Sequence, residues 1–137
     1  MALKRTSSWA KRARETHRRQ DQSLFGIVQG GIDPVLRRES AKITTDLDFD
    51  GYGIGGLSVG ETREELLVAL AAAIEHLPKD RPRYLMGVGD PASLVEAVNL
   101  GVDQFDCVMQ TRIGRHGTAL TSNGKLNITR AEFTTSQ

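Results

Sequence analysis

Short apolar runs alternate with helical patterns along most of this chain. Four runs are almost continuously apolar and close on glycine or polar residues: "LFGIVQGG", "GYGIGGLSVG", "RYLMGVG" and "VDQFDCVM". Runs of this length and composition are typical of strands that are buried on both faces of a sheet. We therefore predict four buried strands.

A helix signal follows each of the first three runs. Asp33-Pro34 and Asp90-Pro91 each supply an N-cap and a first-turn proline. Thr62 and Glu65 have the spacing of a capping box in front of an amphipathic pattern. The three predicted helices span about residues 34–47, 63–77 and 91–100.

The two ends of the chain differ from this middle part. Residues 6–20, "TSSWAKRARETHRRQ", read as a basic helix with a weak apolar face. Near the other end, "TALTSNGKLNITRA" predicts a hairpin with Asn123-Gly124 as its two-residue turn. The chain is therefore predicted to contain a basic helix (1–20), a four-strand βα region (21–110) and a basic loop with a hairpin (111–137).

Four strands separated by three helices and short turns indicate βα units on a parallel sheet. A closed eight-stranded barrel of this kind typically needs ~250 residues. The 137 residues here suit either a small open sheet or about half of a barrel.

Composition excludes several classes of protein. The chain has no apolar run of transmembrane length and no secretory signal at its N-terminus, so we expect a cytoplasmic protein without a membrane partner. A single cysteine excludes an intramolecular disulfide framework and, by itself, a cysteine-rich zinc site.

The net charge of +1 hides a strong asymmetry along the chain. Residues 1–20 carry seven Lys or Arg against Glu15 alone, and residues 111–130 add four cations without an acid. Residues 21–110 carry seven basic and fifteen acidic residues. This segregation is compatible with a polyanion that touches both ends of the chain, although a solvated helix face would look the same.

Candidate chemistry lies where the predicted strands end, because parallel βα folds bind ligands at that edge. Each residue there has an ordinary explanation as a turn, a core side chain or a helix cap. Taken together, Gln29 could read a base edge, Gly55 and Gly56 would let a flat ring approach the backbone, and Met86 could lie on an aromatic face. With Asp106 beside them and two arginines soon after it, the set indicates a nucleotide whose sugar carbon the carboxylate could attack.

Four motifs carry a specific resemblance. "FGIVQGG", "GYGIGGLSVGE", "PRYLMGVGDP" and "FDCVMQTR" resemble, in order and spacing, successive motifs of bacterial tRNA-guanine transglycosylase over about residues 6–133. The resemblance implies exchange of guanine at the wobble position of tRNAs with GUN anticodons for a 7-deazaguanine precursor of queuosine. It also implies a TIM-barrel-type (β/α) fold, of which this chain would be the C-terminal half.

The resemblance assigns a role to each matching residue. Asp106 matches the nucleophile that bonds to the ribose, as in a retaining glycosidase, once the base has left the anticodon stack. The residues matching the base site are Gln29, Gly55, Gly56, Leu57 and Met86. The residues matching RNA-contacting loops are Gly87, Val88, Gly89, Asp90, Pro91, Ala92 and Ser93, followed by Thr111, Arg112, Ile113, Gly114 and Arg115.

Several family features are absent from this chain. Gln110 stands where the family has proline, next to the loop that contacts the wobble nucleotide. The family's general-base aspartate, a second base-gripping aspartate and one aromatic of the stacking site belong to the other half of the barrel. The family's cysteine-rich zinc motif would begin where this chain ends, and Cys107 cannot replace its ligands, so no metal or other cofactor is expected here.

Three interpretations follow. The first is the C-terminal catalytic half of the enzyme, weakly active or inactive alone and dependent on a homodimer or a complementary barrel half. The second is a non-catalytic module that binds tRNA or another subunit. The third, an unrelated phosphate-binding βα domain, would not explain four ordered motifs.

Overall fold

The computed structural model describes residues 2–134, which divide into two compact units on either side of the Asp106–Cys107 peptide bond. In chain order, the first unit contains α1 (Ala2–Thr16), β1 (Phe25–Val28), α2 (Pro34–Thr45), β2 (Gly51–Ile54), α3 (Arg63–Ile74), β3 (Arg83–Leu85), α4 (Pro91–Leu100) and β4 (Gln104–Phe105). The second unit contains α5 (Met109–Arg115), β5 (Thr118–Thr121), β6 (Gly124–Asn127) and a 3₁₀ turn (Ala131–Phe133).

The first unit is built on a parallel sheet with strand order β1-β2-β3-β4. Phe25 pairs with Gly51, Tyr52 with Arg83 and Tyr84 with Gln104, so each strand continues the register of the one before it. A helix connects each strand to the next, which confirms the predicted parallel sheet of βα units. The carboxyl ends of all four strands therefore lie at one edge.

The predicted caps form the helix starts. Asp33 Oδ1 accepts hydrogen bonds from the N–H groups of Val35 (2.8 Å) and Leu36 (3.2 Å) at the start of α2. The Thr62–Glu65 capping box is present in both directions at α3, and Asp90 caps α4. α2 and α3 end two and three residues earlier than predicted, and α1 is displaced toward the N-terminus. None of the helices in residues 2–134 is both long and apolar enough to cross a membrane.

The core lies between the sheet and its helices. Val28, Ile54 and Leu85, the last residues of three neighbouring strands, are fully buried. Phe49 and Tyr52 meet edge to face with ring centroids 6.5 Å apart. On the other face of β1, Ile27 is 40% exposed, so the expectation that every strand is buried on both faces is wrong for β1.

Two local expectations in the second unit were also wrong. Residues 111–115, which we expected as part of a loop, belong to α5, and Met109, which we expected to end the fourth strand, is the first residue of that helix. The hairpin is present, but Thr121 pairs with Gly124, so its two-residue turn is Ser122-Asn123. The Thr121 hydroxyl accepts from the Asn123 N–H and donates to the Gly124 carbonyl, and Gly124 takes the positive φ of 108° at the start of β6.

Candidate active site

The carboxyl edge of the sheet brings most of the predicted site residues together. Gln29 directly follows β1, Gly55 and Gly56 follow β2, Met86 follows β3 and Asp106 follows β4. Because the strands are parallel and in register, these positions belong to one end of the first unit. The site is therefore made of loops held on a rigid sheet.

The amide of Gln29 lies directly against two glycines of the next loop. A Cβ atom on Gly55 would come within 2.8 Å of Gln29 Nε2, and one on Gly56 within 2.5 Å of Gln29 Oε1. Gly56 also has a φ of +68°, which disfavours any larger residue. Only glycine at these positions leaves room for the Gln29 amide.

Met86 lies over the same part of the loop. Its sulfur is 3.5 Å from the Cβ positions that Gly53 and Gly55 would have, on the side where Gln29 approaches. Leu57 is 4% exposed, so its side chain belongs to the core and only its backbone can face a ligand. An amide, bare backbone and a polarizable thioether thus share one surface.

Asp106 stands at the end of β4 with one carboxylate oxygen fixed. Its Oδ1 accepts from the Tyr84 hydroxyl at 2.6 Å and from the Gly87 N–H at 2.9 Å. Within the described chain its Oδ2 has no hydrogen-bond partner. The Tyr84 hydrogen bond, and then the Gly87 N–H, hold the pKa of Asp106 below its ordinary value, and the same contact raises the pKa of Tyr84. The carboxylate is ionised at neutral pH and offers one uncommitted oxygen.

Tyr84 was not predicted as a site residue, although its spacing from Met86 in the sequence indicates that role. Tyr84 lies on β3, and Met86 directly follows that strand two residues later, so the alternation of side chains predicts that both lie on one face. Asp106 itself does not cap the next helix, because the N-cap residue of α5 is Val108 and no side chain caps that helix. The ordinary explanation of Asp106 as a helix cap is therefore wrong.

Sequence reasoning also missed a fully buried arginine behind the site. Arg37 of α2 is 0% exposed and donates only to backbone carbonyls. Its acceptors are Gly31 at 2.7 Å, Val28 at 3.3 Å, Gly55 at 2.8 Å and Gly56 at 3.2 Å. Burial lowers the pKa of the Arg37 guanidinium to about 10, with the Glu61 carboxylate opposing that shift. The cation therefore links the loop after β1 to the loop after β2.

Two further polar residues fix these loops. Ser40, one turn after Arg37 and 2% exposed, accepts from the Gln29 N–H at 3.0 Å. The Glu61 carboxylate accepts from the N–H groups of Ser58 and, at 3.0 Å, Val59. The site loops are held by side chains that themselves lie outside the pocket.

The first predicted RNA-contacting loop, residues 87–93, also makes contacts that stabilise the fold. Gly87 holds Asp106 through its N–H, and Asp90 caps α4. Val88 and Ser93 are buried at 2% and 4% exposure, whereas Pro91 and Ala92 are exposed. Contact of this loop with RNA stays a prediction for its exposed residues.

The second predicted RNA-contacting segment, Thr111–Arg115, lies on α5 in the second compact unit. Arg112 and Arg115 are exposed in the last turn of that helix. Neither side chain has a hydrogen-bond or ion-pair partner within residues 2–134. Gln110, at the family's proline position, is the second residue of α5.

The described residues do not suit a zinc ion. No group of three or more His, Cys, Asp or Glu in residues 2–134 is placed to hold a metal. The Cys107 sulfur accepts from the Met109 N–H at 3.4 Å, a local contact at the start of α5. Structural zinc needs about four ligands, so Cys107 alone does not fit that group.

Comparison with known proteins identifies the family. The family model described as queuine tRNA-ribosyltransferase matches residues 1–137. Relatives named queuine tRNA-ribosyltransferase include those of Desulforamulus reducens (55% identical over 132 residues, 96% of this chain and 36% of the relative) and Halothermothrix orenii (52% over 132 residues, 96% and 35%). The Thermotoga petrophila protein of that name is 56% identical over 127 residues, which are 93% of this chain and 34% of the relative. The chain thus spans about a third of the length of the curated relatives it matches, and it belongs to the queuine tRNA-ribosyltransferase family.

Proposed function

We propose that this chain carries the nucleophile and half of the base site of a tRNA-guanine transglycosylase. The complete reaction would exchange guanine at the wobble position of tRNAs with GUN anticodons for a 7-deazaguanine precursor of queuosine, in the cytoplasm. The observation that carries the proposal is the Asp106 carboxylate, ionised and fixed through Oδ1, at the same sheet edge as Gln29, Gly55, Gly56 and Met86.

In the proposed reaction, Asp106 Oδ2 attacks the anomeric carbon of the wobble ribose from the face opposite the base. The bond from that carbon to N9 of guanine breaks, and its electron pair leaves with guanine, which takes a proton from a general acid. The incoming base then gives its N9 proton to the same group, which now acts as a general base, while its N9 attacks the anomeric carbon and the bond to Asp106 breaks with its electron pair returning to the carboxylate, so two inversions give retention. The resemblance assigns the proton-transferring aspartate to the part of the family's fold that this chain does not span.

The loops after β1 and β2 suit recognition of a planar base. The Gln29 amide offers a donor and an acceptor in one plane, and the Gly55-Gly56 backbone presents no side chain over the ring. The Met86 sulfur supplies a polarizable contact for one face of the base. These groups support a purine-like ring, with the base edge read by hydrogen bonds.

The charge distribution supports RNA as the macromolecular substrate. Lys4, Arg5 and Arg12 are exposed on α1, and within residues 2–134 no hydrogen bond or ion pair engages their side chains. The first turns of α1 line a cleft together with Gln29 and Gly30. Cations that begin at this cleft and continue along α1 could hold phosphates next to the base site.

We further propose that the four strands are about half of a TIM-type barrel. In the described sheet, β1 and β4 each pair on one side only. An apolar cleft lined by Trp9, Phe25 and Ile27 lies between α1 and β1. Unpaired edges and apolar clefts favour association, so a complementary barrel half or a second copy is the expected partner.

A second candidate function is a tRNA-binding or subunit-binding module without catalysis. It is favoured by the resemblance, which assigns acid–base chemistry to a part of the family's fold that these residues do not span. General acid–base help is commonly worth ~10²–10⁴ in rate, so the chain alone should be weakly active or inactive.

A covalent-adduct assay separates the two functions. The chain is incubated with an anticodon stem-loop containing wobble guanosine and with 7-deazaguanine, with and without the remaining segment of the Desulforamulus reducens relative, and run on a denaturing gel. We expect an adduct with wild type and none with Asp106→Asn. Asp103→Asn is the control, because it removes a carboxylate at the opposite end of β4, and it should still form the adduct. No adduct even with the added segment would leave only the binding module.

A further inference from the structure

The two peptide groups that follow Gly55 and Gly56 have a defined direction. Arg37 Nη1 donates to the Gly55 carbonyl at 2.8 Å, and Nη2 donates to the Gly56 carbonyl at 3.2 Å. No peptide bond is cis in the described chain, so each N–H points opposite to the carbonyl of its own peptide group. The N–H groups of Gly56 and Leu57 therefore point away from the guanidinium.

These two N–H groups are open, by which we mean that they have no hydrogen-bond acceptor within the described chain, whereas their neighbours in the loop do. The Gly55 N–H donates to the Val28 carbonyl at 3.1 Å, and the N–H groups of Ser58 and Val59 donate to Glu61. Within residues 2–134, the N–H groups of Gly56 and Leu57 have no acceptor. Backbone donors normally find a partner, so an adjacent open pair indicates a place for a ligand acceptor.

Arg37 also fixes the position of Gln29 relative to that pair. Its Nη1 also donates to the Val28 carbonyl and its Nε donates to the Gly31 carbonyl, on either side of Gln29. One guanidinium thus ties the loop that carries the Gln29 amide to the loop that carries the two open N–H groups. The Gln29 Oε1 atom lies only 2.5 Å from the Cβ position of Gly56, so the three groups form one cluster.

We propose that Arg37 is a positioning residue for base recognition, which aims the N–H groups of Gly56 and Leu57, beside the Gln29 amide, at a carbonyl oxygen of the bound purine. This inference rests on the proposed base site. The planar fork of a guanidinium holds two carbonyls in a fixed relation, whereas the point charge of a lysine does not. Arg37→Lys should therefore release the Gly55 and Gly56 carbonyls while keeping the positive charge.

A second buried arginine provides a matched control. Arg83 is 7% exposed and donates to the carbonyls of Leu77 (2.8 Å), Pro78 (3.0 Å) and Gly101 (3.3 Å). Its carbonyl partners follow α3 and α4, and Arg83 begins β3, so this cluster belongs to the amino edge of the sheet. Arg83→Lys disturbs a comparable cluster away from the base loops, and it measures the purely structural cost of such a change.

The test uses amide NMR of the full chain titrated with 7-deazaguanine and with 2-aminopurine, which lacks the 6-carbonyl. In wild type we expect 7-deazaguanine, but not 2-aminopurine, to move the amide protons of Gly56 and Leu57 downfield. Arg37→Lys should bind 7-deazaguanine about tenfold more weakly and lose its preference over 2-aminopurine, as expected for the loss of one or two hydrogen bonds. Arg83→Lys should keep both the affinity and the preference.

The outcomes separate this inference from the proposed function. If wild type binds 7-deazaguanine and Arg37→Lys binds it with unchanged preference, the positioning role is overturned while the base site stands. If wild type does not bind the base even with the remaining segment of the Desulforamulus reducens relative added, both are overturned. Should Arg37→Lys fail to fold, the wild-type titration decides, because binding without a shift of the two amides would itself overturn the inference.

Discussion

Replacing Gly56 by alanine should uncouple the stability of the fold from recognition of the base. The new Cβ would lie 2.5 Å from Gln29 Oε1, whereas ordinary contact begins at 3.4 Å. It would also impose an alanine on a φ of +68°. Gly31 provides the control, because its φ is +58° and nothing lies within 4 Å of its Cβ position.

Both substitutions place an alanine at a positive φ, but only Gly56→Ala also displaces Gln29. A left-handed L-residue costs ~1–2 kcal/mol, and the lower freedom of alanine in the unfolded chain offsets ~0.4–1 kcal/mol of that. Gly31→Ala should therefore destabilise by about 0–1.5 kcal/mol on these two terms. In Gly56→Ala, Gln29 must also retreat, which costs roughly 0.5–1.5 kcal/mol if it leaves its rotamer. Neither change should unfold the unit.

Ligand binding should separate the variants far more than stability does. Urea unfolding would measure the free energies, and equilibrium dialysis with radiolabelled guanine would measure binding. We expect Gly31→Ala to bind guanine as wild type does and Gly56→Ala to lose binding about tenfold or more, as the displaced amide forfeits its hydrogen bonds. Equal loss of binding in both variants would refute the reasoning, since backbone strain and not Gln29 would then be responsible.

Two other predictions concern the nucleophile and the RNA. Tyr84→Phe removes the main contact that lowers the pKa of Asp106, so that pKa should rise toward its ordinary value. An NMR titration of the carboxylate measures this pKa, and an unchanged value would contradict the assigned contact. The acidic limb of the pH profile of adduct formation should also move to higher pH, because the carboxylate must be ionised to attack. Arg5→Gln should reduce the slope of log affinity against log salt for an anticodon stem-loop by about 0.7–0.9, the value for one phosphate contact, while Lys79→Gln, before β3 at the amino edge, leaves it unchanged. Equal slopes in wild type and Arg5→Gln would exclude that contact.

The elements could be predicted where the deciding interactions are local. Asp33 and Asp90 cap helices whose prolines follow immediately, and Thr62 reaches only as far as Glu65. Parallel pairing of the strands followed from the βα alternation, because a helix between two strands returns the chain so that the next strand runs in the same direction. Local chemistry and chain connectivity were sufficient for these features.

The hairpin turn shows where local patterns fail. The Asn123-Gly124 pair favours a turn at those two residues, yet the turn lies one residue earlier. The Thr121 side chain decides the register by bonding to both the Asn123 N–H and the Gly124 carbonyl. A dipeptide preference was overridden by a side chain outside the dipeptide.

The supporting residues of the site were harder to predict, because α2 inverts the usual pattern. Its buried positions are Arg37, Ser40, Ala41 and Thr44, spaced as one helix face, whereas Val35 is 69% and Leu36 39% exposed. A pattern that places apolar residues inside would assign the wrong face to the core. The reason is that the first turns of α2 pack against backbone groups of the strand ends and loops. Those carbonyl and N–H groups need hydrogen-bond partners, which apolar side chains cannot supply. A polar face at helical spacing, after a strand and a Gln-Gly-Gly loop, therefore indicates a helix that shapes a binding loop, and Arg37 is its central residue.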